Sequence, residues 1–188
     1  MHATGLIANW LPLVLSAVFV FIMSSLIHMV GPWHKTDYLA LPNQDAVMDA
    51  LRPFAIPPGD YMVPRPASMA EMRSPEFAAK IAKGPVIIAT VKPSEMTGMG
   101  QNLVLWFLYS LVVNALAEIL TFKALGPGAP YPGVFKWVFA TAFLGYSVAL
   151  AQHSIWYSRK WSTTVKSMFD GAIYAAVTAG TFGWLWPR

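Results

Sequence analysis

The sequence predicts an all-α membrane protein, built as an antiparallel bundle of four transmembrane helices. A small α+β extramembrane loop domain is expected between spans 1 and 2. Of the 188 residues, 56% are hydrophobic and only 12% are charged, whereas a soluble domain carries about 25% charged residues. Residues 3–34 contain no Lys, Arg, Asp or Glu, and roughly 20 apolar residues are enough to cross a bilayer as a helix.

Four apolar segments account for the transmembrane helices. Gly31-Pro32 is expected to end the first segment, because proline does not continue a helix. The eight tryptophans fall near the segment ends, as in the aromatic belts at membrane surfaces. The spans are expected at about residues 6–30, 102–122, 134–157 and 163–186.

These segments divide the chain into transmembrane helix 1 (1–33), a loop domain (34–100) and transmembrane helices 2–4 (101–188). Lys and Arg near the span ends are more numerous on the side of the loop domain than on the other side. The positive-inside rule then predicts a cytoplasmic loop domain and both termini outside. The net charge of +4 fits contact with anionic lipid headgroups, and we expect no nucleic-acid partner.

Local signals in the loop domain predict short helices. The stretch "PNQDAVMDALRPF" predicts a helix that stops near Pro53. Ser68 and Glu71 form a capping-box pattern. Ser74-Pro75 predicts another helix start, and that helix is expected to close near Gly84.

Two other stretches of the loop domain predict strands. The β-branched run "PVIIATV" is typical of a buried strand, and "DYMVPR" is its expected partner. Two Met-x-x-Met pairs, Met69/Met72 and Met96/Met99, leave copper(I) binding open, since thioethers are soft ligands. Methionine is also common as an adaptable apolar contact.

Each span carries a polar or small stripe at helical spacing, and we predict that the stripes face the interior of the bundle. Span 2 contributes Ser110, Asn114 and Glu118, and a carboxylate inside the membrane is a functional hypothesis by default. The structural alternative for Glu118 is a hydrogen bond or salt bridge. The small-xxx-small pattern of span 4 favours close helix packing. These stripes are Asn9, Ser16, Ser24 and His28 in span 1, Thr141, Gly145, Ala149 and His153 in span 3, and Gly171, Ala175, Ala179 and Gly183 in span 4.

Histidines and an aspartate near the loop end of the helices suggest a metal site. The topology places His28, His153 and Asp170 at one membrane face, with His34 just beyond. Imidazole and carboxylate groups suit zinc, iron or copper, and two histidines from facing helices could hold a haem. The structural alternative is an interhelical His–Asp hydrogen bond, because these residues have no ligand-spacing signature.

The segments "ANWLPLVLSAVFVF" and "RKWSTTVKSMFDGAIYAAVTAGTFGWLWP" carry a family resemblance. It rests on Asn9-Trp10, Trp161, Asp170-Gly171, Tyr174 and the Gly/Trp ending. In these features the chain resembles a family of small four-span bacterial inner-membrane proteins of unknown function. The resemblance implies a helical bundle in the bacterial cytoplasmic membrane and transfers no catalytic residues. Residues 34–100 depart from the compact pattern of that family.

No Walker loop, Rossmann fingerprint, nucleophile elbow or zinc-protease motif occurs in the sequence. The absence of cysteine excludes disulfides, iron–sulfur clusters and thiolate zinc sites. We therefore expect a non-catalytic structural or accessory subunit of a larger membrane complex. It would contact lipid and either a membrane-protein partner or a second copy of itself, and would need no cofactor.

Two alternative functions stay open. The first is a metal- or haem-binding membrane protein that uses the His/Asp site, with zinc, copper or haem as the bound group. The second is a small ion or solute transporter that uses Asn114 and Glu118.

Overall fold

The computed structural model describes residues 10–94 and 98–187, which form two compact units. The helical unit consists of residues 10–38 and 98–187, and the loop unit consists of residues 39–94. The expected first turn of span 1, including Asn9, and Met96 of the second methionine pair lie outside the described residues.

Helices account for most of the described chain, and one pair of strands lies in the loop unit. The α-helices are α1 (Trp10–Met29), α2 (Gln44–Leu51), α3 (Met69–Met72), α4 (Pro75–Lys83), α5 (Met99–Leu125), α6 (Tyr131–Tyr146), α7 (Ala151–Tyr157) and α8 (Trp161–Leu185). Three short 3-10 turns lie at Trp33–Thr36, Arg52–Phe54 and Val148–Leu150. The strands are β1 (Gly59–Val63) and β2 (Ile87–Val91).

Three described helical segments are long and apolar enough to cross a membrane. They are α1, α5 and the segment Tyr131–Tyr157, which contains α6 and α7. Three of the four predicted spans are thereby confirmed as helices of membrane-spanning length and apolarity, and they indicate an integral membrane protein. Helix α8 is 25 residues long but falls outside this set, because polar and small residues are frequent along it.

Span 3 is interrupted, although the sequence predicts one helix to residue 157. Helix α6 ends at Tyr146, and the Ser147 hydroxyl donates a 2.9 Å hydrogen bond to the Met168 carbonyl of α8. Gly171 of α8 permits this close approach, because a Cβ atom there would lie 2.1 Å from Ser147 Oγ. The chain then passes through the 3-10 turn before α7 begins.

The inward face predicted for span 3 is wrong. The sequence stripe assumes that small and polar residues mark the interior, but both faces of this span are apolar. Gly145, Ala149 and His153 are exposed. The buried face of α6 consists of Val134, Val138, Ala142 and Tyr146.

Four helices of the helical unit pack in neighbouring pairs. Helix α1 packs against α5 and α8, and α6 packs against the same two helices. Two apolar clusters fill the space between them. One contains Val20, Ile27, Val113, Ala142, Tyr146, Tyr174 and Ala175, and the other contains Ala117, Val134, Val138, Ala179, Phe182 and Trp186.

Asn114 is the polar centre of this packing. Its Nδ2 donates to the Ser16 hydroxyl at 2.8 Å and to the Leu13 carbonyl at 3.3 Å. Its Oδ1 accepts from Tyr146 at 3.4 Å and from Thr178 at 3.3 Å. The Asn114 amide therefore connects α5 to α1, α6 and α8. Such interhelical hydrogen bonds stabilise membrane helices by up to about 2 kcal/mol each.

Helix α8 contacts other parts of the helical unit at both of its ends. Near its start, Lys166 donates to the Trp33 carbonyl, to Thr36 and to Asp37. Beyond its last turn, the Trp186 indole donates to the Gly126 carbonyl at 3.0 Å. The Gly128 N–H donates to the Pro187 carbonyl at 2.8 Å. The helix therefore extends from the exit of α1 to the turn between α5 and α6.

In the loop unit, β1 and β2 pair in antiparallel fashion, as the sequence predicts. Asp60 accepts a 2.6 Å hydrogen bond from Thr90 across the pair. The prediction of a buried strand is wrong, because Ile87 and Ile88 are 43% and 46% exposed. Phe77 is the one buried side chain among the described residues of this unit.

The predicted helix starts in the loop unit are confirmed. The Ser68 hydroxyl accepts from the Glu71 N–H at 3.1 Å, and the Ser74 hydroxyl accepts from the Phe77 N–H at 3.1 Å. The carboxylate of Glu71 accepts from the Ala67 N–H rather than from the N–H of the cap residue. Helix α4 ends before Gly84, which has a positive φ of 60°.

Candidate metal centre

His28, His34 and Asp170 converge at the exit of α1. One possible ligand atom from each of them lies within 4.8 Å of the other two. His28 occupies the last turn of α1, His34 the following 3-10 turn, and Asp170 lies on α8. Gly31 allows the chain to fold back, because a Cβ atom there would lie 2.3 Å from the Ile27 carbonyl oxygen. The rings of His28 and His34 consequently stack, with centroids 4.6 Å apart.

His34 has three polar partners for two ring nitrogens. Its Nδ1 lies 2.7 Å from Asp37 Oδ2, so we assign a proton to Nδ1. Its Nε2 lies 2.8 Å from Asp170 Oδ2 and 2.8 Å from the indole nitrogen of Trp33. Since the indole N–H is only a donor, Nε2 has to offer it a lone pair.

The contact between His34 Nε2 and Asp170 Oδ2 has no hydrogen between its two atoms. A nitrogen that accepts from Trp33 uses its one lone pair and cannot at the same time donate to Asp170. The 2.8 Å approach of His34 Nε2 to Asp170 Oδ2 becomes favourable when a positive species, either a proton or a metal ion, replaces the indole N–H at Nε2. Two ligand atoms at about 2.1 Å from one tetrahedral metal ion lie about 3.4 Å apart, so a shared ion requires His34 Nε2 and Asp170 Oδ2 to move apart by about 0.6 Å from their 2.8 Å separation.

Asp37 and Lys166 support His34 from the side opposite to Asp170. Asp37 uses Oδ2 for His34 and Oδ1 for Lys166 Nζ, at 3.0 Å. Burial on its own raises the pKa of the Asp37 carboxyl, but the hydrogen bonds from His34 and Lys166 and the charge of Lys166 lower it by more, and the net pKa lies below its ordinary value. An ionised carboxylate that holds Nδ1–H is the usual partner of a metal-binding histidine.

Asp170 is buried, with 2% of the residue exposed. Its Oδ1 has no hydrogen-bond partner among the residues that the structure describes. Tyr174 lies one helical turn further along α8, and its buried hydroxyl also has no hydrogen-bond partner among the described residues. Folded proteins leave few buried polar atoms without a partner, and a bound cation would satisfy the carboxylate.

His28 is the adjustable member of the cluster. Its Nδ1 lies 3.0 Å from the Ser24 carbonyl oxygen, which assigns the proton to Nδ1 and leaves a lone pair on Nε2. The lone pair lies in the ring plane, and the planes of His28 and His34 are only 8° from parallel. A shared ion therefore requires one ring to rotate. His28 is exposed and has one hydrogen bond, so its ring is the one free to do so.

The structure does not bring His153 to this cluster. His153 lies exposed on α7, with its ring centroid 6.0 Å from that of Tyr157. The interruption at Ser147 changes the direction in which α7 presents its side chains. His34, predicted as an outer group, takes the central place instead.

Sequence reasoning missed Asp37, Lys166 and Trp33. The spacing of three residues between His34 and Asp37, and of four between Lys166 and Asp170, contains a usable signal. That signal depends on a tight turn after Gly31-Pro32 that folds back onto α8.

Asn114 and Glu118 lie one turn apart on α5 and are both buried. Every donor and acceptor site described for the Asn114 amide connects helices to each other. Glu118 is 1% exposed. The small residues predicted for span 4 lie at helix contacts: Gly171, Ala175 and Ala179 are buried, and a Cβ atom at Gly183 would lie 2.7 Å from the Tyr131 ring.

Comparison of the chain with protein-family models, with curated proteins and with solved structures gives no match. The resemblance to small four-span bacterial membrane proteins therefore stays a prediction.

Proposed function

We propose that this membrane protein binds a divalent transition-metal ion through His28, His34 and Asp170. The 2.8 Å contact between His34 Nε2 and Asp170 Oδ2, at a nitrogen that already accepts from Trp33, carries the proposal. Asp37 fixes the tautomer of His34 that a metal ion needs. The buried and unpartnered Asp170 Oδ1 gives independent support within the described chain.

The donor set selects the class of ion. Two imidazole nitrogens and one carboxylate oxygen suit Zn²⁺, Fe²⁺ or Co²⁺, whereas Mg²⁺ and Ca²⁺ prefer all-oxygen sites. Copper(I) would favour thioethers, but Met69 and Met72 lie exposed in the loop unit. Haem is not favoured, because two histidines that ligate one haem lie on opposite faces of the porphyrin, whereas the ring centroids of His28 and His34 are only 4.6 Å apart.

Metal binding by the full-length protein in detergent tests the proposal. After removal of metals with a chelator, titration calorimetry with Zn²⁺ should give one ion per chain. His28→Gln, His34→Gln and Asp170→Asn should each weaken binding by more than about 100-fold, since loss of a second-shell partner alone costs about 10–100-fold. His153→Gln is the matched control and should bind as the wild type does.

Two results would contradict the proposal. One is wild-type protein that binds no Zn²⁺, which would mean that a proton on His34 satisfies Asp170. The other is equal weakening by His153→Gln and His28→Gln. Because His28 is exposed, its replacement leaves the packing of the helices intact, and the comparison does not depend on variants that fold poorly.

We also propose that α8 is a fourth membrane span, so that α1, α5, α6–α7 and α8 form an antiparallel bundle in the bacterial cytoplasmic membrane. The contacts at both ends of α8 support this, since they place its start beside the exit of α1 and its end beside the turn after α5. Many of its polar and small residues are buried, among them Thr163, Thr164, Asp170, Gly171, Thr178 and Thr181, and the helix packs against α1 and α6.

A second candidate function is that of an accessory subunit of a larger membrane complex. The loop unit favours it, because most of its apolar side chains are exposed and Phe77 is its one buried residue in the described range. Native mass spectrometry of the purified protein should then show a partner at fixed stoichiometry. The double variant Phe54→Ser/Ile88→Ser should release that partner, whereas His28→Gln should retain it. A protein that purifies alone would contradict this function and leave the metal proposal untouched.

A further inference from the structure

Trp33 occupies an unusual position beside the candidate metal centre. Its indole N–H donates to His34 Nε2 at 2.8 Å, the same nitrogen that faces Asp170. The ring is held by an edge contact with Phe169, at a centroid distance of 6.5 Å. The Trp33 carbonyl accepts from Lys166, so the residue is fixed at both its backbone and its ring.

A bound metal ion would displace this hydrogen bond. The ion takes the lone pair of His34 Nε2, and the Trp33 N–H then has no acceptor there. An indole N–H can only donate, and a donor that loses its acceptor costs free energy unless a new one is found. The Trp33–His34 hydrogen bond is exposed, so the freed N–H can donate to water or to a ligand of the ion, and a ligand of the ion would keep it close to its present position.

The described residues supply three ligands and no fourth. His28, His34 and Asp170 are the residues that converge, and both oxygens of Asp37 are engaged by His34 and Lys166. Centres with three protein ligands hold water or an exogenous molecule at the remaining position, whereas structural centres are closed by four. His28 is exposed, so on its side the centre is not covered by the described residues of the protein.

We infer that the metal centre keeps one coordination position for a small anion with an oxygen or nitrogen donor atom, such as a carboxylate, and that the Trp33 indole N–H holds this ligand. The inference rests on the metal-binding function proposed above. It makes Trp33 a positioning residue for the bound ligand and leaves the ion itself to the other three side chains.

The test uses the full-length protein in detergent, loaded with Co²⁺ in place of the native ion. Sodium azide, a small anion, is titrated while the visible absorption of the Co²⁺ is recorded. Wild-type protein should show a saturable spectral change. Trp33→Phe keeps the aromatic ring and removes the N–H, and it should weaken azide binding about tenfold or more at unchanged Co²⁺ stoichiometry. Trp161→Phe, at another exposed tryptophan of the helical unit, is the control and should bind azide as wild type does.

Each outcome separates this inference from the function on which it rests. If Co²⁺ binds but its spectrum does not respond to azide, the position is closed, for example by the second oxygen of Asp170, and the inference is overturned while metal binding stands. If Trp33→Phe binds azide as tightly as wild type, the role of Trp33 is overturned. If Co²⁺ does not bind to wild-type protein, the proposed function fails first. The wild-type titration alone decides whether the position is open, even if a variant folds poorly.

Discussion

Asp37 influences the candidate metal centre without touching the ion. Its carboxylate holds the Nδ1 proton of His34 and is itself held by Lys166. This arrangement keeps the imidazole in one tautomer and one orientation, with Nε2 directed at Asp170. The hydrogen bonds also keep the pKa of Asp37 below its ordinary value, so the carboxylate is ionised at neutral pH.

We expect Asp37→Asn to weaken Zn²⁺ binding by about 10–100-fold. The amide is uncharged, and its NH₂ group can turn toward His34 and favour the wrong tautomer. Titration calorimetry on the chelator-treated protein measures the effect. Asp45→Asn, an exposed aspartate in the loop unit, should leave the affinity unchanged, and an equal loss in both variants would argue against a specific role for Asp37.

Individual residues of the centre differ in how far the sequence predicts them. Depth along the spans places His28 and Asp170 at one face, because the rise of a helix per residue is known. His34 becomes the central ligand only through the fold-back at Gly31. That fold-back depends on the absence of a side chain at Gly31, because a Cβ atom there would lie 2.3 Å from the Ile27 carbonyl oxygen. A single sequence does not reveal such a close approach.

At the scale of elements, the junction between α6 and α7 is set by one close approach. Gly171 of α8 faces Ser147, whose hydroxyl donates to the Met168 carbonyl. We expect Gly171→Ala to lower the free energy of unfolding by about 1–3 kcal/mol, the usual cost of overpacking. A Cβ atom there would also lie 3.0 Å from the Tyr146 carbonyl, which is backbone and cannot rotate away.

Gly180→Ala is the matched control for this prediction. It lies on the same helix, and its Cβ atom would meet nothing closer than the Tyr131 hydroxyl at 4.0 Å. Thermal unfolding in detergent, followed by circular dichroism, should show a lower midpoint for the variant at Gly171 than for the one at Gly180. Equal midpoints would mean that α6 and α8 separate easily and that the contact does not fix the junction.

The elements themselves follow from the sequence better than their faces do. Apolar length predicts α1, α5 and the Tyr131–Tyr157 segment, and local caps predict the starts of α3 and α4. The inward face of span 3 does not follow, because lipid and protein interior both select apolar residues. The polar stripe of α5 is more informative, since Ser110, Asn114 and Glu118 are all buried.

For the molecule as a whole, the proposed four spans predict which parts share a side of the membrane. The chain has no cysteine, so single cysteines can be introduced for labelling with a membrane-impermeant maleimide. Cysteines at Pro127 and Trp184 should react from one side, and cysteines at Ala67 and Lys160 from the other. If α8 did not cross, Trp184 would react together with Lys160.

The same labelling tests the orientation expected from the positive-inside rule. In intact cells, the cysteines at Pro127 and Trp184 should be labelled, and the one at Ala67 should react only after the membrane is opened.

Composition predicts the membrane class of the whole molecule, because 12% charged residues are too few to cover a soluble globule. It does not predict the exposed apolar surface of the loop unit, since a two-stranded sheet buries little on its own.

Helix α8 has a consequence for the biosynthesis of the protein. On the four-span proposal it is the fourth of these spans to leave the ribosome, and it falls outside the set of helices apolar enough to cross a membrane on length and composition. Asp170 and Lys166 would each oppose its partition into lipid, by about 3 kcal/mol at the centre of a bilayer. We therefore expect α8 to insert poorly as an isolated segment and efficiently after α1 and α6 are in place, since these are the helices that it packs against.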